Sequence, residues 1–435
     1  MHALVHELAR RPWLELEPLL VAVGRAAKRG ERRRGRSLMT KRFWLPALFG
    51  ALVFGLMLGA RQSQALFIGP INTATGLGIG AISLAFGVGQ LMWGVAQPIA
   101  GALADRHGAG RVIAGGALLV ALGTALTPLA QSQMGLVFAI GILAASGAGA
   151  AGPSVLMSAV GRLTPVEKRG FASGIVNAGG SMGQFLIIPL AAALLAAIGW
   201  AGAIQVLAAL ALAVLPLAWA LRGKSAPHAS EDGMTLGKAV RKASRDPSFW
   251  LLNAGFFTCG FHVAFIATHL PGVVASCSLP TEVAAWSLAV IGLFNIFGSF
   301  FAGWAISRWR SKRFLSALYA SRAVAIAIFL VAPKTELTFL AFAAVIGFSY
   351  LSTVPPTVAI VAKLFGYAYV ATLFGFVMLA HQVGGFLGAW LGGKAFDWTG
   401  RYDWMWFADI ALALVAAALH WPIREKRIAP WLAPA

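Results

Sequence analysis

The chain has 435 residues, of which 59% are hydrophobic and only 11% are charged, and its mean hydropathy is +0.76. A water-soluble domain cannot bury that much apolar surface, so the composition indicates a protein that crosses a membrane many times. The net charge of +20 at pH 7 would suit a nucleic-acid-binding protein, but the distribution of the basic residues argues against that class.

Residues 1–42 form a basic segment that carries 11 of the 35 lysines and arginines. We expect this segment to be cytoplasmic, and an amphipathic helix within it would bind the surface of an anionic bilayer. Met39 offers a second start position, in which case residues 1–38 are an upstream extension.

Twelve apolar runs follow, each long enough to cross the hydrocarbon core as a helix of about 20 residues. The sequence therefore predicts an all-α polytopic membrane protein with twelve transmembrane helices in two sets of six. The predicted spans are 45–68, 79–102, 112–131, 135–160, 171–195, 199–221, 249–275, 284–306, 314–332, 336–361, 371–393 and 404–422. The corresponding domains are an N-terminal bundle (43–222), a cytoplasmic linker (223–247), a C-terminal bundle (248–423) and a cytoplasmic tail (424–435).

The basic residues are distributed unevenly between the two sides of the predicted membrane. Thirty of the 35 lie on the side of the termini, three lie on the opposite side, and Arg61 and Arg322 fall within spans. Lysine and arginine are enriched in cytoplasmic loops, so this bias predicts that both termini are cytoplasmic, in a bacterial-type inner (plasma) membrane. The positive charge is then an orientation signal, and no nucleic-acid partner is expected.

Landmark residues recur at a nearly constant offset between the two halves. Pro153 in span four lies 202 residues before Pro355 in span ten, and Gly174 in span five lies 201 residues before Gly375 in span eleven. Such an offset indicates two parallel copies of a six-helix unit, an architecture that allows one half to rock against the other.

A charged, glycine-bearing turn, Gly101–Arg111, joins spans two and three. It resembles the loop between helices 2 and 3 of major facilitator superfamily transporters, whose usual pattern is G-x-L-A-D-R-x-G-R-[RK]. The resemblance implies a conformational switch, and the alternative is a merely solvated loop. In the second half Ser307 replaces the acidic residue, so that copy is degenerate. The candidate switch residues are Gly101, Asp105, Arg106, Gly108 and Arg111, with Gly303 and Arg308 at the corresponding end of span eight.

Three further stretches, 60–63, 259–271 and 350–356, are similar to the bacterial monocarboxylate and oxalate–formate branch of that superfamily. The resemblance implies a cavity surrounded by spans 1, 2, 4, 5, 7, 8, 10 and 11. Span eight has no ionisable residue between Ala284 and Ile306, whereas animal-type monocarboxylate carriers place an acid–arginine pair there. Close equivalence to those carriers is therefore not expected.

Arg61, in the outer third of span one, is the most informative polar residue inside a span. Intramembrane charges are costly unless they are used or paired, and a planar guanidinium facing a cavity suits the bidentate capture of a carboxylate. None of the eight cavity spans contains an aspartate or glutamate that would neutralise it, so the cavity should select anions. The alternative is that Arg61 extends to the membrane interface.

Other polar side chains within spans complete the predicted substrate-binding set. Helix-to-helix hydrogen bonding is the alternative role for each of them. If protons are coupled to transport, His262 or His381 is the expected carrier, because histidine titrates near neutral pH. The histidines show no metal-ligand spacing, so neither a metal nor a cofactor is expected. The full set is Arg61, Gln90, Asn177, Gln184, His262, Asn295, His381 and Gln382.

No catalytic constellation accompanies these residues: the sequence has no phosphate-binding glycine loop, H-E-x-x-H motif or nucleophile elbow. We therefore expect a secondary active transporter of small organic anions, with monocarboxylates preferred, working by alternating access, and not an enzyme. The alternatives are a multidrug or other efflux carrier of the same fold, if Arg61 is structural, and a non-transporting membrane receptor or polytopic enzyme.

Overall fold

The computed structural model describes residues 44–164, 169–222, 236–365 and 370–425. Nearly all of these residues are helical, and eleven continuous helical stretches are long and apolar enough to cross a membrane. The longest stretch, Ala172–Ala220, is interrupted at Gly199, where φ is +72°, a value that glycine adopts without strain. Counted as two crossings, it brings the described part of the chain to twelve, and the predicted all-helical membrane fold is confirmed.

The helices are numbered α1–α12 in the order of the predicted spans, with α1–α6 as the N-terminal half and α7–α12 as the C-terminal half. They are α1 Trp44–Thr75, α2 Ile79–His107, α3 Ala109–Leu126, α4 Gln133–Arg162, α5 172–198, α6 200–220, α7 Pro247–Ser276, α8 Thr281–Arg308, α9 Ser311–Val331, α10 Glu336–Phe365, α11 Val370–Thr399 and α12 Asp403–His420.

Three predicted segments lie wholly or partly outside the described residues. These are the N-terminal segment 1–42, residues 223–235 of the linker and residues 426–435 of the tail. The rest of the predicted linker contains a short helix, Leu236–Ser244, and α7 begins at Pro247.

Two helices run further than the hydropathy pattern predicts. α1 continues to Thr75 and ends at Gly76, whose N–H donates to the Asn72 carbonyl at 2.8 Å. α2 continues to His107, and Gly108, at φ +92°, makes the connection to α3. The predicted charged turn is therefore mostly helix, because polar residues extend a helix beyond the apolar layer as readily as apolar ones do.

α4 and α10 are broken helices, and each break precedes one of the two prolines related by the 202-residue offset. In α4 the first part ends at Ala150 and the second begins at Pro153. In α10 the first part ends at Ser349 and the second begins at Val354, just before Pro355. Proline donates no N–H and disfavours helical geometry in the residue before it, which explains both interruptions. Residues 350–353 are called the α10 break below.

Glycines allow α1 and α5 to pack closely within the N-terminal half. A Cβ atom added to Gly55 would lie 2.8 Å from the Gly179 carbonyl oxygen, and one added to Gly183 would overlap the Gly55 backbone. Small residues at such contacts are the usual means of close helix packing in a bilayer.

A carboxylate ties three elements together at one end of the C-terminal half. Glu425 accepts hydrogen bonds from the Ser311 and Lys312 backbone N–H groups, at 3.0 and 3.1 Å, and pairs with Lys363 at 2.5 Å. Burial of the Glu425 carboxyl raises its pKa, but the hydrogen bonds from Lys363, Lys312 and Ser311 outweigh burial, so that the pKa lies below its ordinary value.

The two halves are in contact at the end of the molecule that carries Gly78 and Asp397, called the outer end. There the Gly80 N–H donates to Asp397 Oδ2 at 3.0 Å, which joins α2 to α11. Deeper in the same pair of helices, Gly94 faces the side chain of Gln382. A second pair of helices from the two halves, α5 and α8, is also in contact.

The halves are separated at the opposite end, called the inner end, which carries Gly108 and Lys363. Apart from the adjoining residues of the same helix, none of the described residues comes within 4 Å of the position that a Cβ atom would occupy on Gly101, Gly174, Gly303 or Gly375. These glycines lie on α2, α5, α8 and α11, seven or eight residues beyond the contacting positions on the same helices. The helix pairs that touch near the outer end therefore diverge towards the inner end.

Candidate substrate-binding site

A cavity of about 30 Å³ lies between helices of the N-terminal half and α7 of the C-terminal half. This volume holds about one or two water molecules. Arg61, Gln62 and Gln64 of α1 and Gln90 of α2 give the N-terminal wall its polar character, and Thr268 of α7 faces them. The apolar lining residues are Ala65, Phe86, Val120, Ile140, Ala144, Ala145, Ala148 and Ala267.

Arg61 contributes the charge of this cavity. Its Nη2 donates to Gln90 Oε1 at 2.9 Å, and the guanidinium carbon lies 5.0 Å from the ring centre of Trp93. No aspartate or glutamate of the described residues forms an ion pair with Arg61. Since a guanidinium carries several N–H donors, Arg61 retains donors for a further acceptor at the cavity.

Tyr350, the first residue of the α10 break, approaches the cavity wall from the C-terminal half. Its hydroxyl donates to the Val263 carbonyl of α7 at 3.0 Å. The same side chain contacts Gln62 and lies within electrostatic reach of Arg61. Tyr350 was not among the predicted site residues, although it is the first residue of the stretch 350–356 that resembles the monocarboxylate and oxalate–formate branch.

Two of the predicted residues, Gln184 and Asn295, lie at the contact between α5 and α8. Gln184 Nε2 donates to the Leu288 carbonyl at 3.0 Å, and Asn295 Nδ2 donates to Ser181 Oγ at 2.9 Å. Both side chains therefore hydrogen-bond across the boundary between the halves, outside the cavity. Asn177, on the same face of α5, is exposed near the separated inner end.

The three predicted residues of α7 and α11 occupy different surroundings. His262 points into the C-terminal half, where its Nε2 lies 3.5 Å from Asp409 Oδ1. The His381 ring packs 5.0 Å from the Phe256 ring. Gln382 is fully buried against α2, and neither atom of its amide has a hydrogen-bond partner among the described residues. Of the three, Gln382 faces the other half.

The candidate switch residues lie at the separated inner end. Arg106 and Arg111 are exposed on either side of the connection between α2 and α3. Arg308 lies over the Trp304 ring at 4.4 Å, at the end of α8. The side chain of Asp105 lies outside the described residues, so its docking to the other half stays a prediction.

A sequence profile described as "Major Facilitator Superfamily" matches residues 47–389 and again 278–434. The chain belongs to the major facilitator superfamily. This superfamily member is 24% identical over 353 residues to the oxalate:formate antiporter of Oxalobacter formigenes, which covers 80% of the chain and 84% of that protein. It is also 26% identical over 367 residues to monocarboxylate transporter 13 of Rattus norvegicus, with 82% and 83% covered.

Among solved structures, this superfamily member resembles a bacterial homolog of the human lysosomal transporter Spinster in an inward-facing and unoccupied conformation. The TM-score is 0.70 at 17% identity, over 87% of this chain and 96% of that one. At this identity the likeness shows a shared fold. The superfamily and these two relatives are transporters, so the chain is an integral membrane transporter and not an enzyme, as predicted.

Proposed function

We propose that this transporter carries small organic anions, with monocarboxylates as the preferred class, by secondary active transport and alternating access. One observation carries the proposal: Arg61 lies at a cavity between the halves with no acidic partner among the described residues. A carboxylate accepts two parallel hydrogen bonds from a guanidinium. A bound carboxylate would thus supply the charge that an intramembrane arginine otherwise lacks.

The acidic residues of the N-terminal half support the same substrate class. Between residues 43 and 222 the only acidic residues are Asp105 and Glu167, and both lie beyond the predicted spans. Without a carboxylate in the N-terminal wall, the cavity repels an ammonium group and attracts an anion. The printed names of two relatives, an oxalate:formate antiporter and a monocarboxylate transporter, agree with this choice.

The size of the cavity bears on the mechanism. The cavity at Arg61 is narrow in this conformation, with room for about one or two water molecules, and we infer that it widens when a carboxylic acid binds. The contact at the outer end and the separation at the inner end are what alternating access requires of one of its two end states. We therefore infer that the substrate reaches Arg61 from the inner end in this conformation.

The proposed location is a bacterial-type inner membrane with both termini in the cytoplasm. Thirty of the 35 basic residues on one side of the bilayer support this orientation. Reporter fusions after Ala332, between α9 and α10, and after Trp309, between α8 and α9, test it. Activity of a periplasm-specific reporter at the second position and not at the first would contradict it.

Uptake into vesicles reconstituted with the purified protein tests the substrate class. Radiolabelled pyruvate, lactate and oxalate are compared with glucose and a lipophilic cation. Arg61→Gln should weaken carboxylate binding by about one to two orders of magnitude, the equivalent of about 1.5–3 kcal/mol for a charge-assisted hydrogen bond. Arg61→Lys keeps the charge and loses the fork geometry, so anion preference should remain while affinity falls.

Arg401→Gln is the matched control, because Arg401 is an exposed arginine near the outer end, 3.7 Å from Asp403. It should transport like the unmodified protein. Unchanged carboxylate affinity in Arg61→Gln would contradict the assigned role of Arg61. Extrusion of the lipophilic cation without carboxylate transport would instead favour the multidrug alternative.

A further inference from the structure

The C-terminal half encloses a second group of ionisable side chains, separate from the cavity lining. These side chains are at most 6% exposed and come from four different helices. Ionisable groups are rare within membrane helices and usually have a function there. The described members of this group are Cys259 and His262 of α7, Tyr319 and Arg322 of α9, His381 of α11, and Asp409 and His420 of α12.

Arg322 is held by Ser349 and by the α10 break, and none of the described carboxylates forms an ion pair with it. Its Nε donates to Ser349 Oγ at 3.1 Å, and its Nη2 donates to the carbonyl oxygens of Tyr350, at 2.8 Å, and Ser349. Its Nη1 lies 3.7 Å from Cys259 Sγ. The carbonyl groups freed where α10 is interrupted therefore solvate the guanidinium.

The acid in this group, Asp409, faces His262. His262 Nε2 lies 3.5 Å from Asp409 Oδ1, and the two side chains are 2% and 0% exposed. Among the described residues, neither carboxylate oxygen and neither imidazole nitrogen has a hydrogen-bond partner. An unsolvated carboxylate charge at this depth is costly. One proton held between Nε2 and Oδ1 would remove that charge and complete a hydrogen bond.

The helices packed around this pair supply few other groups that titrate. Arg322 of α9 acts electrostatically on both members of the pair. His381 of α11 lies beside Cys259, whereas the His420 ring stacks on Tyr319 at 5.1 Å. α8 adds no ionisable residue between Ala284 and Ile306, and from α10 the nearest such group is Tyr350. Asp409 is the one carboxylic acid among the described members of this group, and His262 is the histidine that faces it.

The α10 break connects this group to the cavity and to the boundary between the halves. The Tyr350 carbonyl accepts from Arg322, while the Tyr350 side chain contacts Gln62 in the cavity wall. The next residue, Leu351, donates its N–H to Asn295 Oδ1 at 3.0 Å, and Asn295 in turn donates to Ser181 of the other half. A change of charge near Arg322 thus has a short physical route to the cavity and to the contact between α5 and α8.

We propose that the His262–Asp409 pair binds the proton that is coupled to transport, and that the α10 break transmits its charge state to the cavity. Proton uptake places one proton between Nε2 and Oδ1, and proton release leaves the Asp409 carboxylate anionic near Arg322. The proposal rests on the proposed anion transport for its role, but the proton site can be measured without any substrate.

Two transport assays on the full-length protein in vesicles test the coupling, with radiolabelled pyruvate as the probe. The first follows accumulation driven by a pH gradient, and the second follows exchange of labelled for unlabelled pyruvate without a gradient. Asp409→Asn and His262→Gln should lose gradient-driven accumulation and keep exchange, because exchange requires no net proton movement. Gradient-driven accumulation with the original pH profile in both variants would overturn the proposal.

His269→Gln is the matched control. His269 lies on the same helix, is 1% exposed and pairs with the Ala389 carbonyl at 2.6 Å, away from any acid. Its replacement should leave the ratio of accumulation to exchange unchanged. An equal loss of accumulation in this control would contradict a specific role for the His262–Asp409 pair.

Infrared difference spectroscopy on the purified protein supplies a readout that does not depend on transport. A protonated-carboxyl band should respond to pH, disappear in Asp409→Asn and shift in His262→Gln. If a variant loses both transport activities, this band decides: a pH response that is retained in Asp409→Asn overturns the proton site. Failure of the unmodified protein to transport any carboxylate would refute the proposed function while the infrared result still stands on its own.

Discussion

The contact between Asp397 and the start of α2 should control the balance between the two end states. Asp397 Oδ2 accepts the Gly80 N–H at 3.0 Å, and Gly78 precedes the first turn of α2. The first N–H groups of a helix lack partners within it, and a negative charge there is stabilising. Because Asp397 belongs to α11 and Gly80 to α2, this interaction exists only while the outer end is closed.

Replacing Asp397 by asparagine removes the charge and keeps the shape. A carboxylate at a largely exposed helix N-terminus contributes about 0.3–1 kcal/mol, so the loss changes the ratio of the two end states by up to about fivefold. The sign follows from the geometry: Asp397→Asn destabilises the state with the outer end closed. The outer end should open more often, and the inner end should close more often.

Distance measurements between spin labels give the populations directly. Labels at Ile99 of α2 and Phe376 of α11, both exposed towards the inner end, should report a larger short-distance population in Asp397→Asn. Cys277, a partly exposed free thiol, is first replaced by serine.

Asp403→Asn is the control, because Asp403 is also near the outer end but, among the described residues, its ion pair is with Arg401 of the same half, at 3.7 Å. Unchanged populations in Asp397→Asn, or an equal shift in the control, would refute the reasoning.

Three further outcomes are expected. Gly183→Leu should lower the yield of folded protein and the melting temperature, because its side chain would overlap the Gly55 backbone, whereas Gly69→Leu has open space and should not. Glu425→Gln should lower the free energy of unfolding at neutral pH by about 1 kcal/mol. Since the pKa of Glu425 is lowered in the folded state, the difference in stability between the unmodified protein and the variant should vanish as the pH falls through that pKa. Melting curves recorded across this pH range measure both effects. Asp105→Asn should slow pyruvate uptake without changing the amount of protein in the membrane, and normal turnover would indicate a merely solvated turn.

The fold could be predicted from the sequence because the sequence features that specify it are local. An apolar run of about 20 residues specifies a membrane helix wherever it occurs, and the prolines at 153 and 355 interrupt their own helices. The ends of the helices could be predicted less well, because α2 continues through the charged residues 105 and 106 and ends at His107. Hydropathy marks where the apolar layer ends, and the helix ends where a glycine allows the chain to turn.

The partners of the buried polar residues could not be predicted from the sequence, because each partner lies on a segment that is distant in the sequence. His262 and Asp409 are 147 residues apart in the sequence, and no local pattern in either helix indicates the other. Arg322 was recognised as an intramembrane charge, but the sequence pattern left its partner open. In the structure Arg322 donates to a carbonyl oxygen of an interrupted helix, and Asp409 lies next to His262.

The repeat explains why the chemistry of the two halves differs although their framework is shared. The position 202 residues before Arg322 is Val120, so the break in α4 has no cation at the equivalent place, and Val120 lines the cavity. The same offset places Val263 of α7 opposite Arg61 in the repeat, and the Val263 carbonyl accepts a hydrogen bond from the Tyr350 hydroxyl. Each half therefore keeps one intramembrane arginine at a position where the other half is apolar. A duplicated framework with charges at non-equivalent positions separates a half-buried cation at the cavity from a fully buried one near an acid, and these are the two sites at which the proposed anion and the proton coupled to it would bind.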